Sequence, residues 1–349
     1  MNSIQDELFM QRCLQLAQLG AGQVAPNPMV GAVLVHQGRI IGEGYHRRYG
    51  QAHAEVDCVQ RVAAADRSLI PRATMYVSLE PCAHYGKTPP CADMIVQQQI
   101  PRVVIGCTDS FSEVSGKGIE KLQQAGVEVS VGMLERASRE LNRRFFTFHE
   151  KKRPYIVLKW AQCPAGFMAT LSGEPVRLSN QYSDRLVHRW RSEEMAILVG
   201  TNTALTDDPQ LTTRHWPGKS PLRLVIDREL KTPRHYRLWD NSVPTWFFTE
   251  KEETFDGQTA TLQLDFRAPL LPQLMERLYE KNITSVMVEG GAYVLQRFIE
   301  AGLWDEARVI SGTSAILPEG QKAPVLPRAL LIDETTLEGD RISYYRNIT

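Results

Sequence analysis

The sequence predicts an α/β protein built from two domains, and three observations predict it. The chain has 349 residues, too many for one comfortable core. Strand-like and helix-like segments alternate through residues 1–150. A fresh alternation starts at Tyr155, after the polar stretch Lys151-Lys152-Arg153-Pro154, where Pro154 disfavours helix at Arg153. The domains are therefore expected to span residues 1–150 and 151–349.

In the first domain, Met29 to Val35 is a short apolar run that turns at Gln37-Gly38 and returns through Arg39 to Gly42, a hairpin pattern. His53 to Ala64 carries Val56, Val59, Val62 and Ala63 at helical spacing. Thr74 to Leu79 reads as strand, Cys91 to Gln99 as helix, Arg102 to Cys107 as strand, Gly118 to Ala125 as helix and Val127 to Val131 as strand. Leu134, Ala137, Leu141, Phe145 and Phe148 share one face of a helix. Arg136, Arg139, Arg143 and Arg144 on its other face are expected to be solvated rather than a polyanion-binding stripe.

The second domain offers strands at Tyr155 to Ala161, Ala196 to Val199, Arg223 to Asp227, Thr245 to Thr249, Ser285 to Val288, Glu306 to Ser311 and Arg341 to Tyr345. Its helices are expected at Gln181 to Arg191, Pro272 to Lys281 and Tyr293 to Ala301. Internal repeats and low-complexity segments are absent from the sequence.

Composition narrows the function classes. Lys plus Arg equals Asp plus Glu, which argues for a small-molecule substrate over nucleic acid. Six cysteines are too sparse for a disulfide framework. Met1 to Gln11 contains Asp6 and Glu7 and lacks the basic-then-apolar order of a signal peptide. An apolar run of about eighteen residues, as a spanning helix requires, is missing. The expected location is the cytoplasm, with no membrane and no nucleic-acid partner.

The chemistry concentrates at His53-Ala54-Glu55, Glu80-Pro81-Cys82 and Cys91. One imidazole and two thiolates make three protein ligands, the number that catalytic zinc uses while leaving a fourth position for water. Zinc lowers the pKa of such water toward neutrality. Glu55 suits proton transfer from that water to a ring nitrogen and leaving amine, and H-x-E…P-C is the zinc-deaminase signature. A lone His or buried Cys is ordinarily core, but here His-x-Glu opens a helix and Pro-Cys follows a strand. A closed structural site would need a fourth ligand. His84 is the nearby candidate and is better read as a substrate contact. His with two Cys favours zinc over iron. The eight residues between Cys82 and Cys91 are rich in polar and turn-forming types, and His84, Lys87 and Thr88 could hold a phosphate or polar substituent. The alternative is a plain metal-positioning loop.

These motifs, together with Pro26-Asn27-Pro28-Met29-Val30-Gly31, Gly42-Glu43-Gly44-Tyr45-His46 and the Gly86-Lys87-Thr88-Pro89-Pro90 insert, closely resemble the bifunctional riboflavin-biosynthesis deaminase/reductase family. The resemblance implies a cytidine-deaminase-like α/β/α domain followed by a dihydrofolate-reductase-like α/β domain. It implies deamination of a diaminohydroxyphosphoribosylaminopyrimidine, with Asn27, His46, His84 and Lys87 in or near the substrate site.

In the second domain, Val288-Glu289-Gly290-Gly291 ends a strand and opens a helix, where backbone N–H groups can hold phosphate; a tight turn is the alternative. Ile197-Leu198-Val199-Gly200 also ends a strand at Gly, Thr206-Asp207-Asp208-Pro209 is a polar turn by composition, and Gly-x-Gly-x-x-Gly is absent. The resemblance continues through Leu158-Lys159, Val187-His188, Arg191, Ala196 to Gly200, Asp207 to Thr212, Arg214 and Glu289-Gly290-Gly291. It implies NADPH-dependent reduction of a ribosyl group to ribityl. It implies Ala161, Thr203, Asp207 and Gly291 near the cofactor, Arg191, Leu211, Arg214 and Glu289 near the substrate, and Lys159 near the reacting carbon at the cofactor side. Arginines suit the substrate phosphate.

The chain departs from the family's Ser-Leu-Asp-Gly at Cys163-Pro164-Ala165-Gly166, so a carboxylate is missing at Ala165. Arg177-Leu178-Ser179 replaces Trp-Ile-Thr. The change at Ala165 leaves open a deaminase whose second domain is a binding or dimerisation module, and the shared His-x-Glu…Pro-Cys core leaves open a nucleic-acid base deaminase. The expected partner is a phosphoribosyl-pyrimidine, with a homodimer left open.

Overall fold

The computed structural model describes residues 3–83, 89–111 and 115–348. By its internal contacts the chain divides into two units, Met1–Lys151 and Lys152–Thr349.

The first unit runs α1 (Ser3–Gln18), β1 (Gly31–His36), β2 (Arg39–Tyr45), α2 (Ala54–Gln60), β3 (Thr74–Val77), α3 (Cys91–Gln97), β4 (Arg102–Ile105), α4 (Lys117–Gln124), β5 (Glu128–Val131), α5 (Glu135–Leu141) and α6 (Arg143–Lys151). Its sheet has the order β2-β1-β3-β4-β5. β1 pairs antiparallel with β2 and β3, and β3, β4 and β5 are parallel. Successive residues of a strand face opposite sides. Ala32 and Leu34 thus join Met75, Val77, Val103 and Ile105 under Ala54 and Cys58 of α2, Ile95 of α3 and Leu122 of α4. Val33 and Val35 turn the other way, toward Met10, Cys13 and Leu16 of α1. The sheet is covered on both faces. Helix α2 lies hard against β2 at Gly44, where a Cβ would come within 2.2 Å of the Cys58 nitrogen and 2.5 Å of the Ala54 carbonyl oxygen. That contact seats the helix carrying Glu55.

The second unit runs β6 (Tyr155–Gln162), β7 (Phe167–Ala169), α7 (Gln181–Glu193), β8 (Ala196–Gly200), α8 (Thr201–Asp207), β9 (Leu222–Ile226), β10 (Thr245–Thr249), β11 (Thr254–Asp256), β12 (Thr259–Gln263), α9 (Leu270–Glu280), β13 (Ser285–Val288), α10 (Ala292–Glu300), β14 (Glu306–Ser311), β15 (Gln321–Lys322), β16 (Ala329–Leu337) and β17 (Asp340–Asn347). Ten strands form one sheet in the order β11-β12-β10-β9-β8-β13-β6-β14-β17-β16. Its centre, β12 through β14, is parallel, and antiparallel strands close both edges. Leu158, Leu198, Leu224 and Val288 pack against α9 and α10 through Leu274, Leu278, Leu295 and Phe298. Val157, Ile197, Val225 and Met287 face Val187 and Trp190 of α7. Parallel strands buried on both faces read as continuous apolar runs, which made them conspicuous.

The α/β expectation holds, with local differences. The helix expected from His53 to Ala64 ends at Gln60, although Val62 stays in the core, so the apolar spacing outlasts the helix. The single helix expected from Leu134 to Phe148 is two. The break is Asn142, whose amide donates to the Met29 carbonyl at 2.9 Å and accepts from the Met29 N–H at 2.8 Å; an Asn that can bond backbone elsewhere favours helix ends. The segment read as a turn from Thr206 to Pro209 begins inside α8, which ends at Asp207. Of the stripe arginines, Arg139 pairs with Glu150 at 2.5 Å and lies over the Phe146 ring, and Arg143 pairs with Glu140 at 3.4 Å. Among the described residues, no helix is long and apolar enough to cross a membrane.

Candidate active sites

His53 caps the N-terminus of α2, Glu55 is in its first turn, and Cys91 opens α3. Cys82 lies in the turn beyond β3. The topology brings these together: His53 Nδ1 and the two Sγ atoms lie within 4.8 Å of one another. Cys82 Sγ is 3.6 Å and Cys91 Sγ 3.4 Å from His53 Nδ1. Tetrahedral zinc with Zn–S of about 2.3 Å and Zn–N of about 2.0–2.1 Å needs a sulfur–nitrogen edge of roughly 3.5 Å. The donor set and spacing fit zinc.

The two thiols are shifted in opposite directions. The hydrogen bond with Cys91 holds the Cys82 thiol below its ordinary range against burial, and His53 adds to this. Cys91 is pushed the other way by Cys82 and by burial. Glu55 is 3% exposed. Burial pushes its carboxyl up to about 7, with His53 opposing and Cys82 assisting.

His46 and Asn27 stand beside this cluster. The His46 and His53 rings are 5.3 Å apart and edge-on. His46 Nδ1 lies 3.0 Å from the Ala52 carbonyl, which can only accept, and Nε2 lies 3.3 Å from Asn27 Nδ2, which can only donate. His46 is therefore neutral with its proton on Nδ1. Burial lowers its pKa, in agreement. His84, Lys87 and Thr88 lie outside the described residues.

In the second unit the assigned residues gather beyond the carboxyl ends of adjacent parallel strands, β8, β13 and β6. Open α/β sheets place ligands there. Glu289 follows β13 and receives Arg191 of α7 and Lys159 of β6, the latter at 3.5 Å. Burial raises the Glu289 carboxyl, but the Arg191 and Lys159 charges outweigh it and hold the group down to about 2. Arg191 also donates to the Thr212 carbonyl at 3.2 Å, and Arg214 to the Thr212 hydroxyl at 3.0 Å. Leu211, between them and α8, is buried with φ of 55°. Burial, with the like charges of Arg191 and Arg237, lowers the Arg214 pKa. Gly291 N–H donates to Thr203 Oγ1 at 2.9 Å, joining the starts of α10 and α8. Ala161 lies two residues beyond Lys159 on β6, and burial raises the Asp207 carboxyl at the end of α8.

The departing loop is a tight turn. Cys163 N–H donates to the Phe167 carbonyl at 2.8 Å and Gly166 N–H to the Cys163 carbonyl at 2.9 Å, with Gly166 at φ 81°. Ala165 is exposed on it. Arg177 pairs with Asp184 at 2.7 Å. Sequence reading assigned no role to Glu80, Asn142, His188 or Arg223. Glu80 and His188 stand inside motifs, but spacing reveals neither the four backbone N–H groups on Glu80 nor the Arg214 N–H that His188 Nδ1 accepts at 3.0 Å.

Comparison with known proteins matches both units. Residues 3–107 match the cytidine and deoxycytidylate deaminase zinc-binding region, and residues 154–324 match the RibD C-terminal domain. The riboflavin biosynthesis protein RibD of Aquifex aeolicus is 40% identical over 320 residues, covering 90% of this chain and 88% of that protein. The Escherichia coli RibD is 35% identical, covering 87% and 86%. A crystal structure of a diaminohydroxyphosphoribosylaminopyrimidine deaminase/5-amino-6-(5-phosphoribosylamino)uracil reductase from Thermotoga maritima superposes with a TM-score of 0.90 at 34% identity, covering 99% of each chain. Acinetobacter baumannii RibD gives a TM-score of 0.91 at 30% identity, covering 100% of each. A curated relative 40% identical over nine-tenths of the chain, with both units matched, places this chain in the RibD family of riboflavin biosynthesis proteins.

Proposed function

We propose that the chain carries out two successive reactions of riboflavin biosynthesis. Residues 1–150 deaminate 2,5-diamino-6-(5-phosphoribosylamino)pyrimidin-4-one, and residues 151–349 reduce the ribosyl group of the product to ribityl with NADPH. The observation that carries this is the His53, Cys82 and Cys91 cluster with buried Glu55 beside it, in a chain matched along nine-tenths of its length by RibD proteins.

His53, Cys82 and Cys91 would hold the zinc, which when bound would supply the Lewis acidity that makes water nucleophilic near neutral pH. Glu55 is placed to move protons between water, the ring nitrogen and the departing amine. Its burial keeps the proton from bulk solvent. Asn27, donating to His46 through Nδ2, keeps its amide oxygen for the substrate's N–H groups. His84 and Lys87 are assigned to the same substrate by the motif they occupy.

In the second unit Ala161, Thr203, Asp207 and Gly291 would hold NADPH, which would supply the hydride. Arg191, Leu211, Arg214 and Glu289 would hold the substrate, with the Arg214 guanidinium directed to its phosphate. Lys159, paired with Glu289, would donate to the oxygen at the carbon that is reduced.

The enzyme is read as cytoplasmic and as a homodimer. All six cysteines are unpaired thiols, which suits a reducing compartment. Edge strand β16 exposes Leu330, Leu331 and Ile332, a surface that pairing with a second copy would cover. Light scattering of the purified protein tests the dimer.

The decisive experiment is an end-product assay with the pyrimidine substrate, with and without NADPH. Ammonia release in both cases and ribityl product only with NADPH are expected; absence of ammonia refutes the reading. The exposed Ala165 favours a second reading, in which the C-terminal unit binds without catalysing. NADPH titration and turnover of the deaminated substrate separate the two.

A further inference from the structure

We propose that Glu80 is a positioning residue that sets Cys82 in place for the metal, an inference resting on the zinc reading of His53, Cys82 and Cys91. Glu80 is 4% exposed. Its Oε2 accepts the Asp109 N–H at 3.2 Å and the Gly116 N–H at 3.1 Å. Its Oε1 accepts the Gly118 N–H at 3.0 Å and the Ile119 N–H at 3.4 Å. One buried carboxylate thus satisfies donors from the first turn of α4 and from the segment before it, donors that a helix start otherwise leaves orphaned.

The chain then passes straight from Glu80 into Pro81-Cys82. The first turn of α4 is drawn so close that a Cβ on Gly118 would lie 1.9 Å from the Pro81 carbonyl oxygen. On its other side Cys82 is tied to α3, its carbonyl accepting from Ala92 N–H at 3.1 Å and its Sγ from Cys91 N–H at 3.3 Å. Cys82 is clamped between two helices. His53 arrives on a third, so the 3.6 Å approach of Cys82 Sγ to His53 Nδ1 depends on where this turn sits. Glu80 acts through Cys82 and touches neither metal nor substrate in this role.

The test loads full-length wild type, Glu80→Gln and Gly118→Ala with Co(II), and reads affinity by chelator competition and geometry from the thiolate-to-cobalt absorption band. Glu80→Gln turns an N–H donor toward N–H donors, while Gly118→Ala pushes the Pro81 carbonyl without altering any charge. Both variants are expected to bind at least about 10-fold more weakly, the usual cost of losing outer-shell support, and to show an altered band, with far-UV circular dichroism unchanged. Wild-type affinity and spectrum in both variants, even with a lower melting temperature, would reduce Glu80 to a staple for α4 and overturn the proposal. Should Glu80→Gln fail to fold, Glu80→Asp takes its place, keeping the charge while drawing the carboxylate back from the four N–H groups, with the same expected and overturning results. A wild type that binds no Co(II) refutes the zinc reading itself, a failure distinct from equal binding by all three proteins.

Discussion

Arg191 and Glu289, 98 positions apart in sequence, meet through two hydrogen bonds, Nε to Oε1 and Nη2 to Oε2, both 2.8 Å. Their side chains are 13% and 7% exposed, so this is a largely desolvated bidentate pair, with Lys159 as its third member. Removing one partner of such a pair leaves uncompensated charge and costs about 3–5 kcal/mol. Glu289→Gln is therefore expected to destabilise the second unit by about that much at pH 7, read by urea unfolding. The pH dependence has a definite sign. The folded-state pKa, about 2, lies below the ordinary 4.5. The carboxylate's contribution is full above pH 4.5 and is lost as pH falls toward 2. Wild type should lose this increment on acidification and Glu289→Gln should not. Parallel acid curves for the two proteins would show that the pair does not stabilise the fold.

Glu55→Gln is expected to keep its zinc and to lose deamination. The amide preserves shape but cannot take or give the proton, and positioned acid–base groups contribute about 10²–10⁴-fold. Metal analysis alongside ammonia release checks this. A zinc-loaded variant with wild-type ammonia release would remove Glu55 from the reaction.

Stripping the metal should separate the two activities. All three thiol and imidazole donors belong to the first unit. Dipicolinate-treated protein is expected to release no ammonia yet to oxidise NADPH when given the already deaminated substrate. Re-addition of zinc should restore the first activity. Loss of both together would contradict a reductase site built from Lys159, Arg191 and Glu289.

Much of this fold was legible because its central strands are apolar and its turns carry Gly or Pro. Tyr155 to Leu158 and Ala196 to Val199 are continuous runs buried on both faces. Strand β16 and helix α1 were not legible. Strand β16 is exposed along nearly all its length, so no alternation marks it, and α1 carries apolar residues on both its buried and its exposed sides, among them exposed Ile4 and Leu8. The metal cluster was legible because His-x-Glu and Pro-Cys are chemically unusual neighbours. The clamp on Cys82 was not: Glu80 bonds backbone N–H groups, and any residue but proline supplies those. Arg191 and Glu289 were each named, but their pairing depends on α7 crossing the end of β13, which local spacing does not encode.

Arg223 presents the same lesson as a prediction. It is fully buried at the start of β9, where an alternating pattern would place an apolar residue. Its guanidinium donates to Thr245 Oγ1 at 2.7 Å, to the carbonyls of Arg237 and Val243 at 2.9 Å, to Asp240 Oδ1 at 2.9 Å and to the Gln210 carbonyl at 3.4 Å. A Lys keeps the charge but not the planar fork, so it cannot serve these acceptors at once. Arg223→Lys is expected to cost about 3 kcal/mol, or roughly 10 °C in the melting temperature of the second unit. The Gln210 carbonyl precedes Leu211, Thr212 and Arg214, so loosening it should also raise KM for the phosphoribosyl substrate more than KM for NADPH. Calorimetry and the two KM values check the prediction; an unchanged melting temperature would show that the five contacts contribute little, and equal rises in both KM values would show that Arg223 supports the unit as a whole rather than the segment proposed to bind phosphate.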